Sequence, residues 1–342
     1  MLRTSSISRP TKLEDLLSSK EIARLDPLDL ASRRVFFGKL KGERRSKKRG
    51  HSVEFADHRQ YVSGDDIRHI DWNIFGRLDK LFLKLFLEEE DLSLHVVLDA
   101  SASSDCGEPN KYLFMQRCAM ALGYVGLVNL NRVAATVMGG IDAEATARNS
   151  PSQREGAGGW VGSIASASST STSSPPKPSP IRAVRDLRGR RRVHDLARFL
   201  CATTPGGTLS FRAAAERIAI SRRGKGVMII FSDFFFKDGY EDGLRLLSGH
   251  GYDLILVQVL SPQELEPPIK GDLRLKDIED ADTAEVTISA PLLKRYQANL
   301  AAYCTKLREF AHRRDMALLT VKSDTPVDLL VADQLRRLGV LK

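Results

Sequence analysis

Nothing in these 342 residues forms an apolar run of the roughly eighteen residues that a membrane span requires. The strongest candidate, Gly226 to Phe236 (GVMIIFSDFFF), is broken by Ser232 and Asp233 and reads as a buried strand. The N-terminus carries basic residues with no apolar segment behind them, which argues against a secretory leader. Cysteine is sparse: Cys106, Cys118, Cys201 and Cys304 form no close pair and match no zinc spacing, so they read as free thiols in a reducing compartment. Also missing are a P-loop lysine pattern, a G-x-S-x-G elbow and a His-rich metal motif, the usual readable marks of nucleotide, serine-hydrolase and zinc chemistry. The expectation is a cytoplasmic protein with no membrane span.

What is present can build a core, since 42 % of the residues are hydrophobic. The formal charge of +9 is concentrated in two runs. One spans Arg33, Arg34, Lys39, Lys41, Arg44, Arg45, Lys47, Lys48 and Arg49; the other is Arg182, Arg185, Arg188 and Arg190 to Arg192. Such runs can neutralise phosphates, dock an acidic protein, or simply be solvated. Neither is interleaved with stacking aromatics in the way single-strand binding requires, so nucleic acid is not the expected partner.

Along the chain, residues 1–32 read as a polar lead-in with one short amphipathic helix, and 33–91 as a basic then aspartate-rich region. Residues 92–342 alternate strand and helix patterns. "LSLHVVLD" is a short β-branched strand, Asn110 to Leu130 a long helix, Arg132 to Met138 a second strand. Residues 142–180 interrupt this with a Ser-, Gly-, Thr- and Pro-rich stretch too poor in apolar groups to repay ordering, an expected disordered insertion. A strand pair or an edge strand over Ile181 to Val193, further helices, core strands at Val227 to Asp233 and Tyr252 to Leu260, and a final strand at Met316 to Asp324 follow. A long helix from Pro291 to Arg313 precedes the last of these strands. The fold class expected is α/β, a mostly parallel sheet with helices on both faces.

Two of these strands end in aspartate. After "LHVVLD" come Ser101 and Ser103 at alternate positions, and a carboxylate with two hydroxyls in one loop can be read in two ways. They can cap backbone amides of a turn, or they can be oxygens aimed at a hard divalent cation. Thr208 follows Gly206 and Gly207, and Asp233 closes the strand "IIFSD". Each is ordinary alone; together they bring a further hydroxyl and a second carboxylate to the end of the sheet where open α/β folds bind ligands.

Asp99, Ser101, Ser103, Thr208 and Asp233, in this order, resemble the metal-ion-dependent adhesion site of von Willebrand factor A domains. That resemblance implies a Mg²⁺ or Mn²⁺ ion at the top of a mostly parallel sheet with one antiparallel edge strand. It also implies that the strands bearing Asp99 and Asp233 are neighbours at the topological switch point. A second block, Arg59, Tyr61, Gly64, Asp65, Asp66, Arg68, Ile70, Asp71, Trp72 and Arg77, is similar to the signature of the domain-of-unknown-function 58 family. Its members run from this block into an A-type domain and often occur beside MoxR-type AAA+ ATPases, which implies such an ATPase as partner in assembly or maturation of other proteins.

Physically, the acids of that block with His69 can be read as a metal or acid–base cluster. The favoured reading is structural: Asp65 and Asp66 shape a turn after Gly64, Arg59, Arg68 and Arg77 neutralise the carboxylates, and Trp72 anchors the block against the sheet. For function, the leading expectation is a non-enzymatic module. A divalent ion held by so few carboxylates keeps a position that a partner's Glu or Asp can fill. The alternatives are a phosphohydrolase using Asp99 as nucleophile, although its usual second Asp is here Ser101, and a nucleic-acid binder using the basic runs.

Overall fold

A computed structural model describes residues 8–30, 54–62, 65, 67–87, 93–142, 181–207, 210–221, 226–249, 252–269, 271–276 and 283–341. The basic run 33–49 and the insertion expected at 142–180 lie outside these residues, except Asp142. The chain divides into two compact units, one of residues 1–33 and 92–342, the other of residues 34–91.

Two short helices, α1 (Leu13–Leu16) and α2 (Ser19–Leu25), open the larger unit. Ser18 separates them by accepting from the Glu21 amide while the Glu21 side chain accepts from the Ser18 amide, a capping box that starts a new helix where periodicity alone predicts one. Leu16, Leu17, Leu25, Leu28 and Leu30 are buried, so this segment is part of the core rather than a polar lead-in. Each such leucine contributes about 1.5–3 kcal/mol.

The smaller unit is a β-hairpin, β1 (Glu54–Gln60) and β2 (Phe82–Leu87), paired antiparallel with α3 (Trp72–Leu78) in the connection. Asp71 caps α3 by accepting from the amides of Asn73 and Ile74, and it pairs with His58 at 3.0 Å and Lys84 at 3.2 Å. Asp65 accepts from the Val62 amide and pairs with Arg59 at 2.7 Å. Asp65 and Asp71 thus make local structural contacts, Asp65 with Arg59 and Asp71 with His58 and Lys84. Gly64 and Asp66 lie outside the described residues. Within its own unit Trp72 touches Phe75 edge-on, and α3 buries none of its side chains among the described residues. Ile70 and Leu83, bridged to each other, are buried instead.

In the larger unit the chain continues through β3 (Ser93–Ala100), α4 (Lys111–Val128), β4 (Arg132–Gly139), β5 (Ile141–Asp142), β6 (Ile181–Leu187), α5 (Val193–Cys201) and β7 (Thr203–Thr204). Then come α6 (Phe211–Ser221), β8 (Gly226–Ser232), α7 (Glu241–Ser248), β9 (Tyr252–Leu260), α8 (Pro262–Leu265) and the hairpin β10 (Gly271–Lys276) with β11 (Thr283–Ile288). Last are α9 (Ala290–His312), β12 (Ala317–Lys322) and α10 (Val327–Leu329), which runs on into a wider π-helical turn over Leu330–Leu335.

The main sheet has the order β12-β9-β8-β3-β4-β6. All neighbours are parallel except β4 and β6, so the single antiparallel strand sits at one edge. This is the von Willebrand A-like arrangement expected. β3, β8 and β9 are buried along their whole length, as strands covered on both faces must be. On one face α4 lies against β3 and β4 with α1, α2 and α5 behind it, which explains why it is apolar nearly all round. On the other, α6, α7 and α9 bring Phe211, Leu244 and Phe310 onto the sheet. The chain leaves β3 toward β4 on one side and returns to β8 on the other, placing the switch point between β3 and β8.

Candidate functional site

Asp99 and Asp233 come to this switch point because their strands are neighbours, in register from Ser93 opposite Gly226 to Leu98 opposite Phe231. Both carboxylates are almost wholly buried, Asp99 at 1 % and Asp233 at 3 % exposure. Asp99 Oδ1 accepts from the Ser101 amide at 2.9 Å, and Oδ2 accepts from the Ser232 hydroxyl at 2.7 Å. The Ser101 hydroxyl lies 2.9 Å from that of Ser103 and 3.3 Å from that of Ser104. Burial pushes the Asp99 carboxyl up to about 6, and the negative charge of Asp233 adds to that rise.

Local backbone fixes these positions. Phe234, directly after Asp233, is held at φ +63°, a conformation costly for a bulky residue. Its amide donates to Ser232 Oγ, its carbonyl accepts from the Tyr303 hydroxyl, and the Phe235 amide donates to Asp233 Oδ1 at 3.0 Å. The Gly206–Gly207 loop is laced to β3: Gly206 donates to the Ala100 carbonyl at 2.9 Å, and the Gly207 carbonyl accepts from Ala102 at 3.2 Å. Gly140 donates to Gly206 at φ +82°, where a Cβ would meet Thr203 at 2.8 Å and the Thr204 carbonyl at 2.9 Å. Thr208, the next residue of the loop, lies outside the described residues.

Sequence reasoning misses the most charged part of the site. Lys111, the first residue of α4, is 1 % exposed and donates to Asp233 Oδ2 at 2.8 Å and to Glu264 Oε1 at 2.7 Å. Burial alone would push this ammonium toward neutrality, but the two carboxylates outweigh it and hold it above the ordinary lysine range. The Cys106 thiol sits 3.7 Å from Glu264, and burial pushes it up to about 12, so it is a neutral neighbour. A lysine opening a mostly apolar helix is the one local signal for this triad; nothing near Glu264 announces its partner.

Among the described residues, no group of three or more His, Cys, Asp or Glu side chains is arranged to hold a metal. Hydroxyls would therefore have to complete any such site here. Asp99, Asp233, Ser101 and Ser103 are hard oxygen donors of the type that suit Mg²⁺ or Mn²⁺, and the repulsion between the two aspartates is what a cation relieves. Half of the second basic run makes contacts within the chain: Arg182 donates to Ala202 and Thr203, Arg190 to Tyr124, and Arg192 pairs with Asp195.

Among known proteins, the chain is 26 % identical over 309 residues to the uncharacterized protein Rv1480 of Mycobacterium tuberculosis, covering 89 % of this chain and 82 % of that one. Among solved structures, an aerotolerance-related membrane protein from Bacteroides fragilis aligns at a TM-score of 0.41 and 14 % identity, covering 73 % of this chain and 98 % of that one. BatB from Bacteroides thetaiotaomicron aligns at 0.37 and 10 % identity, covering 72 % and 98 %. No helix among the described residues is long and apolar enough to cross a membrane. The model of the family described as "Protein of unknown function DUF58" matches residues 57–158 and 161–306, more than half of the sequence. The chain belongs to that family.

Proposed function

We propose that this protein is a non-enzymatic, metal-dependent interaction module whose Asp99, Ser101, Ser103, Thr208 and Asp233 hold a Mg²⁺ or Mn²⁺ ion. The observation that carries the reading is the convergence, at the switch point, of two buried carboxylates with the adjacent hydroxyls of Ser101 and Ser103. When bound, the ion supplies a Lewis-acidic position that a partner's Glu or Asp can fill. The protein's own residues supply the rest. Asp99 and Asp233 provide charge, the serines provide neutral oxygens, and the Ser232 hydroxyl and Ser101 amide orient Asp99. Lys111 offsets part of the negative charge, so the set is too poor in carboxylate to satisfy a divalent ion fully.

Two features disfavour the phosphohydrolase alternative. Both Asp99 oxygens already accept hydrogen bonds, and the side chain is 1 % exposed, which suits an orienting carboxylate better than a nucleophile. The proposed partner, from the family resemblance, is a MoxR-type AAA+ ATPase. The test is capture of such a purified ATPase by the immobilised chain, with Mg²⁺ or with chelator. Capture in Mg²⁺ alone, lost in Asp99→Ala, is the expected result; equal capture with chelator contradicts it.

A further inference from the structure

We infer that Lys111 is a tethered counter-cation of the proposed metal site, held on Asp233 in the metal-free protein and retained by Glu264 when a divalent ion takes Asp233. The inference rests on the metal-site reading and adds to it how the site is regulated. Two carboxylates, Asp233 and Glu264, hold one ammonium, Lys111 lying 2.8 and 2.7 Å from them. Its contact with Asp233 matters because of how that carboxylate is used. Asp233 Oδ1 takes the Phe235 amide, while Oδ2, among the described residues, takes Lys111. A metal on Asp233 Oδ2 competes with this ammonium for the same oxygen, and repulsion between the two cations drives Lys111 off it.

Glu264 is built to receive it. Its Oε2 closes the capping box of α8, accepting from the Ser261 amide at 2.8 Å and the Ser261 hydroxyl at 3.1 Å. Its Oε1 faces Lys111 and Cys106. The helix itself is pinned to the loop before α4: the Gln263 amide group exchanges two hydrogen bonds with the Glu108 backbone, at 2.9 and 3.0 Å. Gly107 lies against Ser261 so closely, at φ +88°, that a Cβ would come within 2.5 Å of the Ser261 Cβ. Glu264 therefore keeps its place when Lys111 leaves Asp233. An ammonium with a fixed second carboxylate is not left unpaired in the interior, which would otherwise be prohibitive.

The consequence is opposite effects from the two ends of one ion pair. Without Lys111, Asp233 has no internal competitor and the site carries one positive charge fewer. Without the Glu264 charge, Lys111 has only Asp233 to rest on and competes harder. A triad that merely fastened α4 to the strand ends would lose metal affinity in both variants.

The experiment is calorimetric titration of Mn²⁺ into the full chain, wild type, Lys111→Met and Glu264→Gln, with circular dichroism to confirm folding. Methionine is close to lysine in volume and fills the same space. Lys111→Met is expected to bind Mn²⁺ about ten- to a hundredfold more tightly, and Glu264→Gln about tenfold more weakly, the scale of one nearby charge in a partly screened interior. Should Lys111→Met fail to fold, the Glu264→Gln arm decides alone, and unchanged or tighter binding there overturns the inference. Wild-type uptake with no tightening in folded Lys111→Met overturns it while leaving the metal site standing. No uptake by wild type or by Lys111→Met overturns both. Uptake by Lys111→Met at Mn²⁺ concentrations where wild type is still unfilled, with wild type filling at higher concentration, supports it in its strongest form.

Discussion

The Ser232 hydroxyl donates to Asp99 Oδ2 across 2.7 Å, joining the two central strands at the end where the candidate site lies. Ser232 also accepts from the Phe234 amide, so one hydroxyl orients Asp99 and holds the strained turn that follows Asp233. Ser232→Ala leaves a buried carboxylate oxygen without its donor. The expected loss of stability is about 1–3 kcal/mol, measured by urea denaturation. A loss within about 0.5 kcal/mol, the range of an ordinary surface change, contradicts this role.

Gly140 makes a second prediction. Its left-handed conformation and its closeness to Thr203 and Thr204 leave no room for a methyl group. Gly140→Ala is expected to cost about 1–3 kcal/mol and to loosen the Gly206–Gly207 loop from β3. Hydrogen exchange of the Gly206 and Ala102 amides reads the second effect; protection equal to wild type in both contradicts it.

The N-terminal segment gives a third. Leu17 is 1 % exposed within the core cluster that contains α4, and Arg117 reaches back to the Leu16 carbonyl and to Glu21. Leu17→Ala is expected to cost about 2–5 kcal/mol, as a central strand residue would. A change near zero in thermal or chemical unfolding means that residues 8–30 are not integral to the larger unit.

Asp71 supplies a pH dependence in the smaller unit. Burial alone would raise its carboxyl, but hydrogen bonds from His58, the Ile74 amide, Lys84 and the Asn73 amide together lower it to about 2. The ionised form is thus favoured by folding. Its stabilisation is fully present above the ordinary carboxylate value near 4 and is lost as pH falls from there toward about 2. Fluorescence of Trp72 in a Trp160→Phe background, followed from pH 5 to pH 2, is expected to report that loss, and Asp71→Asn is expected to flatten it. The same profile in both proteins contradicts the assignment.

How much of this is legible in the sequence depends on how local each signal is. The strands ending in Asp99 and Asp233, the helix beginning at Lys111 and the edge strand at Ile181 all carry periodicity and end marks, and they lie within a residue or two of the expected places. The Ser18–Glu21 capping box is written in the sequence as well, yet the apolar spacing runs across it and masks the break. β1 escapes notice because it is short and rich in charged or polar residues, whereas β10 and β11 do alternate Leu273 and Leu275, and Ala284, Val286 and Ile288, with polar residues, a period-two signal too short to stand out. The Lys111–Glu264 contact joins residues 153 apart, and no local pattern encodes a pairing that only topology creates.

The most direct measurement is Mn²⁺ binding by electron paramagnetic resonance, with Mg²⁺ as competitor, on wild type and Asp99→Ala. The account predicts one Mn²⁺ per chain in wild type, displaced by Mg²⁺, and none in a folded Asp99→Ala. Equal binding by the two proteins, or no binding by wild type at millimolar Mn²⁺, contradicts it.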